Sequence, residues 1–373
     1  MIYLDNAATT YPKPEAVYQA ADTANRGAVN AGRGSYKSAR EAAELISDTR
    51  DRLISLFHAN GAECILTPSA TIALNEIIGG LKLSKGDIVY VSPYEHNAVL
   101  RPLHLREEKD GITVKELPLC RDLSIDLDKT EYMFASEKPA AMFCSAISNV
   151  TGYLLPLKEI FSLSEKYGAV NVVDASQAAG LLPIDMVDLH AGIIVFAGHK
   201  TLYGTFGAAG FIKKPAVPLD VFLAGGTGSD SLNPEMPKDE PGRLEPASPA
   251  LPAIAALNAA LKEISVEEHY TKVRELTIYL SDRLRSIPSL TIYGDDNTRL
   301  GIVSFVAEGY KSSEIGEILD REGGIAVRTG YHCAGLIHKH LKDEPYAGTV
   351  RVSVGMFNTQ DDIDSLVSLL NTL

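Results

Sequence analysis

Five short apolar runs each end in residues that could do chemistry. Cys64–Leu66 leads into Thr67-Pro68-Ser69-Ala70-Thr71, which opens a helical pattern. Free N–H groups at a helix start suit a phosphate. Ile88–Val91 leads to Glu95-His96-Asn97, and Ala141–Cys144 to Ser145-Ala146-Ile147-Ser148-Asn149. Val170–Val173 is followed by Asp174-Ala175-Ser176-Gln177, and Ile193–Phe196 by Ala197-Gly198-His199-Lys200. Singly, most have ordinary explanations. Ser69 reads as an N-cap, His96 as a surface loop histidine, and Lys200 as a strand terminator whose amine reaches water. Asp174 is harder to dismiss, because an unpaired carboxylate at the end of a buried strand is costly.

The elements that must position these residues alternate along the chain. Ala42, Leu45, Ile46, Leu53, Ile54 and Phe57 recur at helical spacing within Ser38–His58. Further helices are expected at Thr71–Leu81, Ala98–Arg106 and Leu157–Tyr167, between apolar runs bounded by Gly, Pro, Asn, Asp or Ser. Alternating strand and helix implies a mostly parallel sheet covered on both faces, with ligands outside the carboxyl ends of its strands. Leu223 to Pro252 is different: a polar stretch with Gly225-Gly226-Thr227-Gly228 and six prolines, either functional or a boundary. Helices at Ala253–Ile264 and Glu267–Ile287, strands at Leu290–Tyr293 and Gly301–Val306 and a last helix at Asp361–Leu373 then suggest a smaller α+β domain. The expected division is a large domain at 15–250 and a small one made of 1–14 and 251–373.

Composition sets bounds on function. The 373 residues are 45% hydrophobic and 22% charged, with mean hydropathy +0.01, as in a globular chain with sizeable cores. No apolar run approaches the roughly 20 residues of a membrane helix. The net charge of −13 argues against nonspecific nucleic-acid binding. Cys64, Cys120, Cys144 and Cys333 are scattered without a CxxC pair. With no secretory pattern at Met-Ile-Tyr-Leu-Asp-Asn, a reducing cytoplasm is expected.

Together the five strand ends offer phosphate donors, an imidazole, an amide, a carboxylate with a neighbouring amide, and an amine. Pyridoxal phosphate asks for that set: a lysine for covalent attachment, a carboxylate for the pyridine nitrogen, and donors for the phosphate and phenolic oxygen. The chain resembles the class V aminotransferase family of fold-type I pyridoxal-phosphate enzymes, and within it the cysteine desulfurases. The resemblance is carried by Tyr3-Leu-Asp-Asn-Ala-Ala-Thr-Thr10, Gly32-Arg-Gly-Ser35, Asp174-Ala-Ser-Gln177, Gly198-His-Lys200, Arg328-Thr-Gly-Tyr-His-Cys333, and Arg351-Val-Ser353 with Asn358-Thr359. The Arg-x-Gly-x-His-Cys form resembles the group II branch, which includes selenocysteine lyases.

The resemblance implies a large domain with a mostly parallel seven-stranded sheet and a homodimer acting on L-cysteine, or on L-selenocysteine, with a sulfur-acceptor protein. It also implies roles. Lys200 would hold the cofactor and shuttle protons, Asp174 would hold the pyridinium proton, His96 would stack on the ring, and Gln177 would meet the phenolic oxygen. Ala70, Thr71 and His199 would bind the phosphate. Asn149 and Arg351 would take the substrate carboxylate. Cys333 would be the nucleophile that keeps sulfur as a persulfide, with Arg328 close by. A thiol attacks as the thiolate, and Arg328 with His332 would favour that form.

Some positions depart from the family pattern. Ala197 stands where many relatives have Ser, and Tyr36 where they often have His. Glu245-Pro-Ala-Ser-Pro-Ala250 replaces Glu-Ala-Gly-Thr-Pro-Asn, so that Ser248 would take over from the Thr that reaches the neighbouring subunit's phosphate. Other pyridoxal-phosphate reactions, such as transamination or β-elimination, need no thiol and leave Cys333 unexplained. Cys333, His332, His338 and His340 offer a second alternative, a metal site. Gly204, Gly207 and Gly210 give GxxGxxG, not the GxGxxG of dinucleotide binding.

Overall fold

The computed structural model describes residues 1–27, 29–31, 34–228 and 232–373. Its elements run β1 (Ile2–Tyr3), α1 (Glu15–Gly27), α2 (Lys37–Leu56), β2 (Glu63–Thr67), α3 (Ala70–Gly80), β3 (Ile88–Val91), α4 (Asn97–Asp110), β4 (Thr113–Glu116), α5 (Leu127–Ser136) and β5 (Pro139–Ser145). Then follow α6 (Leu157–Glu165), β6 (Val170–Asp174), β7 (Ile193–Ala197), β8 (Ala209–Lys213), α7 (Leu251–Glu263), α8 (Val266–Arg285), β9 (Leu290–Ile292), β10 (Ile302–Ala307) and α9 (Ser312–Gly323). The chain closes with β11 (Ile325–Ala326), β12 (Arg328–Gly330), α10 (Gly335–Leu341), β13 (Thr349–Ser353) and α11 (Gln360–Leu370).

Seven strands form the central sheet in the order β2-β8-β7-β6-β5-β3-β4. Neighbours from β7 to β4 are parallel, and β8 runs antiparallel to both β7 and β2. This is the mostly parallel seven-stranded sheet expected of the α/β fold. Its strands read as continuous apolar runs because both faces are buried. Val89, Val91, Phe143, Val172 and Val195 join one core with α3 and α4. Tyr90, Met142, Cys144, Val173 and Phe196 join the other with α2, α6 and α7. Adjacent residues take opposite sides, as the pleat dictates.

The sequence hid two strands of this sheet: the edge strand β4, whose Thr-Val-Lys-Glu carries a single apolar residue, and β8, whose short run is broken by Gly210. A Cβ there would lie 2.0 Å from the carbonyl oxygen of Ile65, so glycine is what lets β8 approach β2. The GxxGxxG stretch therefore ends inside an antiparallel strand, and not at a phosphate turn.

A second, antiparallel sheet has the order β12-β13-β10-β9. β1 pairs in parallel with β11, and Asp5 bridges to Ser353, so the first residues of the chain belong with the last hundred. Between 221 and 250 the described residues carry neither helix nor strand. Among the described residues no helix is long and apolar enough to cross a membrane.

Candidate active site

At the carboxyl ends of the central strands lies a cleft of about 290 Å³. Ala70, Thr71, His96, Asn149, Asp174, His199 and Lys200 line it from the large sheet. Arg328, Cys333 and Arg351 close it from the antiparallel sheet.

Lys200 sits on a tight turn after β7. A Cβ at Gly198 would lie 2.3 Å from the carbonyl oxygen of Ala208, so only glycine permits the turn. The Tyr3–Thr10 segment holds the turn from below. Thr9 Oγ1 donates to the His199 carbonyl at 2.9 Å, and Thr10 Oγ1 to the Lys200 carbonyl at 3.0 Å. Burial drives the Lys200 amine below its ordinary pKa; Asp174 opposes this, and Arg351 and Arg328 add to it. Asp174 ends β6, and its Oδ1 accepts the Ser176 N–H at 2.9 Å.

Behind Asp174 lies a carboxyl with no access to water. Glu95 Oε1 accepts Ser92 Oγ–H at 2.5 Å and the Ser145 N–H at 2.6 Å. Burial raises its pKa to about 7, with the charge of Asp174 adding to the rise. His96 caps α4: its Nδ1 accepts the Ala98 N–H at 3.0 Å. Burial first, then Lys200, lowers its pKa to about 4. The ring is therefore neutral near pH 7 with its hydrogen on Nε2. Burial likewise takes His199 to about 4; it stacks on Phe206 with centroids 4.4 Å apart, and its Nδ1 is buried without a partner. Ser69 Oγ accepts the Ile72 N–H at 3.3 Å. The N–H groups of Ala70 and Thr71, without intrahelical partners, remain for a ligand at the cleft wall.

Arg351 is almost wholly buried. Its Nη2 donates to Asp5 Oδ1 at 2.7 Å and its Nη1 to the Asn149 carbonyl at 2.9 Å, while Nε is buried without a partner. Asn149 Nδ2 in turn donates to the His332 carbonyl at 2.7 Å. Arg328 lies opposite Arg351 in the β12–β13 register, with Nη2 3.8 Å from Cys333 Sγ. His332 and Cys333 have positive φ, 47° and 58°. Such strain persists where the surroundings over-determine it, and here the Asn97 N–H also fastens the Cys333 carbonyl at 2.7 Å.

The family model for Aminotransferase class-V matches residues 2–366. The chain belongs to this family. It is 32% identical to a probable cysteine desulfurase of Halalkalibacterium halodurans, over 98% of this chain and 91% of that protein. Its fold matches the apo structure of a cysteine desulfurase from Thermococcus onnurineus NA1, with TM-score 0.90 at 24% identity, covering 100% of this chain and 94% of the other. It also matches the cysteine desulfurase CsdA of Escherichia coli, solved as the S-sulfonic acid: TM-score 0.87, 26% identity, again 100% and 94%.

Against the class V pattern, two residues fall away from the cleft. Gln177 Nε2 donates to the Ala7 carbonyl at 2.8 Å, just behind the cleft wall. Ser248 lines a separate cavity of about 150 Å³ with Arg50, Thr67 and Glu245. Glu245 anchors that segment by accepting the Leu66 N–H at 2.6 Å and Arg50 Nη2 at 2.5 Å. Gly32 and Arg33 lie outside the described residues. His332 brings no positive charge to the thiol, since burial, aided by Arg351, takes it to about 2. Arg328 is the cation beside Sγ. Among the described residues no group of three His, Cys, Asp or Glu side chains is placed to hold a metal; His340 instead meets Glu116 at 2.6 Å. Sequence reasoning gave no role to Asp5, although it stands within the first motif. It gave none to Glu95 or to the His338–Asp343 pair.

Proposed function

We propose that this class V protein is a pyridoxal-phosphate-dependent cysteine desulfurase that converts L-cysteine to L-alanine and keeps the sulfur on Cys333. One observation carries the reading: a single cleft contains a desolvated lysine, an aspartate at a strand end and a cysteine beside an arginine. The residues fit the cofactor. Lys200 would hold it covalently and Asp174 would face its ring nitrogen. Neutral His96 would lie on the ring, and Gln177 would serve the phenolic side through Ala7. Ala70, Thr71 and the unpartnered Nδ1 of His199 would meet the phosphate. Bound there, the cofactor would act as a sink for the electrons of the substrate's α-carbon.

The remaining steps belong to the chain. Arg351 and Asn149 receive the substrate carboxylate, and Lys200 moves the α-proton. Cys333 Sγ, as thiolate beside Arg328, attacks the substrate sulfur. An S–S bond forms and the Cβ–S bond breaks. The sulfur leaves as a persulfide on Cys333, and the electron pair left on Cβ takes a proton to become the methyl of alanine. The net change is a thiol plus cysteine giving a persulfide plus alanine. The persulfide would then pass to an acceptor protein.

Four finer readings go with this one. The Arg328–Cys333 loop supports the group II branch. A homodimer is supported by Ser248, which stands outside its own cleft, and by Phe206, Val221, Phe222 and Leu223, which present apolar surface to solvent. We take 15–250 as the cofactor domain and 1–14 with 251–373 as the small domain. Four unpaired cysteines support a reducing cytoplasm.

Cys333→Ala tests the function. The variant should bind cofactor and change its spectrum on adding cysteine, yet make almost no alanine. Its loss on selenocysteine should be smaller, because selenol is the better leaving group. Wild-type alanine formation from cysteine would refute sulfur transfer to Cys333, and sulfide with pyruvate in place of alanine would move the assignment to a β-lyase of the same family.

A further inference from the structure

Beneath the Cys333 loop lies a polar cluster that the reaction above does not use. His338, on the buried side of α10, contacts Asp343 through Nδ1 at 2.5 Å. Asp343 has no solvent exposure, and its Oδ1 has no partner. The His338 ring meets Tyr331 edge-on at 5.1 Å and lies 6.0 Å from the His332 ring, centroid to centroid. On its other side His332 Nε2 contacts Thr349 Oγ1 at 2.9 Å. Each ring is left with one buried nitrogen lacking a partner, Nε2 of His338 and Nδ1 of His332.

Buried polar atoms without partners are rare and costly, and a single water commonly resolves them. With centroids 6.0 Å apart the two rings show no direct bond, and one water between the unpartnered nitrogens would satisfy both. A water can donate to either nitrogen or accept from it, so it suits whichever tautomer each ring holds. His332 immediately precedes Cys333, and both have the left-handed backbone that L-residues resist. The carbonyls of both are fastened from the large sheet by Asn149 and Asn97. The His332 side chain is the third point of attachment, and it leads down to Asp343.

We propose that Thr349, His332, one buried water, His338 and Asp343 form a continuous hydrogen-bonded chain that fixes the Cys333 loop, making His338 and Asp343 positioning residues for the thiol. The nucleophile is then held in place from below, independently of bound cofactor. The catalytic consequence rests on Cys333 being the sulfur acceptor.

His338→Asn tests the chain. Its amide replaces Nδ1 toward Asp343 but has no counterpart of the far nitrogen, so it cuts the chain at the water and keeps the bond below. Thr349→Val cuts it at the other end without changing side-chain shape. Each should unfold within a few degrees of wild type. Each should lower kcat for alanine on the order of tenfold, the effect of losing about one hydrogen bond's worth of positioning. KM for cysteine and cofactor affinity should hold within about twofold. In cofactor-free protein the loosened loop should let iodoacetamide label Cys333 several-fold faster. If both variants keep wild-type kcat and labelling, the chain does not position the thiol. If His338→Asn does not fold, Thr349→Val decides alone. The labelling arm is independent of the desulfurase reading, which Cys333→Ala tests separately.

Discussion

Arg351→Lys separates carboxylate recognition from simple charge. In the structure the guanidinium spans two elements, with Nη2 on Asp5 and Nη1 on the Asn149 carbonyl, while buried Nε has no partner. An Arg351→Ala variant would confuse two effects. It strands Asp5, and breaking a buried pair costs about 3–5 kcal/mol of stability on its own. Lysine keeps the charge near Asp5 but offers a point donor in place of a planar fork. It should lose the Asn149 contact and the donor left open at Nε. A hydrogen bond to a charged group is worth about 1.5–3 kcal/mol, and 1.36 kcal/mol is tenfold. KM for L-cysteine should therefore rise by roughly 10- to 150-fold, while cofactor affinity, measured by absorbance titration of the apoprotein, shifts by less than about threefold. The assay is alanine formed against cysteine concentration, with thermal unfolding alongside to show an intact fold. An unchanged KM with a reduced kcat would refute carboxylate binding. It would instead make Arg351 a brace for the Asn149–His332 contact.

Three further outcomes are expected. Lys200→Ala should take up pyridoxal phosphate only reversibly and lose it on gel filtration; a cofactor that stays bound through denaturation would show another attachment point. Sedimentation should give twice the 40.1 kDa of one chain, and a fully active monomer would dispose of the composite site. Glu95→Gln should change how stability depends on pH. Folded Glu95 holds its proton up to about 7, against about 4.3 when unfolded, so its contribution declines as pH rises through that window. His96, His199 and His269, lowered to about 4 chiefly by burial, act the other way: the unfolded chain binds their protons first, so stability grows with pH between about 4 and 6.5. Removing Glu95 should steepen that rise by at most about 1.4 kcal/mol per pH unit, read by urea unfolding at pH 5 and 6; an unaltered slope would mean that Glu95 is ionised in the fold.

What the sequence made legible follows from how local each signal is. Strand runs such as Ile88–Val91 and Ile193–Ala197 carry their own apolar pattern, and the polar residues after them fall at the cleft because a parallel sheet presents its strand ends together. Lys200, Asp174 and His96 could therefore be placed without knowing any contact. Pairings across the chain could not. Asp5 and Arg351 stand 346 residues apart, and nothing in either motif says that they meet. Glu95 was read only as the neighbour of His96; its depth behind Asp174 depends on where Ser145 lies in β5. Gln177 took its role from the family resemblance, and the turn after β6 carries its amide to Ala7.

The same reasoning explains why family motifs cluster at both ends of the chain although the reactive lysine lies in the middle. The Lys200 turn is sharp, and its own bonds, Tyr203 N–H to the Lys200 carbonyl at 2.8 Å and Gly204 N–H to the Gly198 carbonyl at 2.7 Å, are supplemented from outside. Thr9 and Thr10 donate to the carbonyls of His199 and Lys200. That segment needs an anchor of its own, since irregular backbone has no ladder to fix it. Asn6 Nδ2 bonds to the Ser353 carbonyl and to Asn358 Oδ1, both at 3.0 Å, and the Ala7 N–H bonds to Ser353 Oγ at 2.9 Å. Asp5 completes the set through Arg351. Residues 5–10 therefore tie the lysine turn of the large sheet to the strand that carries Arg351. A single substitution at Asn6 or Ser353 would act on the distance between the amine and the carboxylate-binding arginine while touching neither.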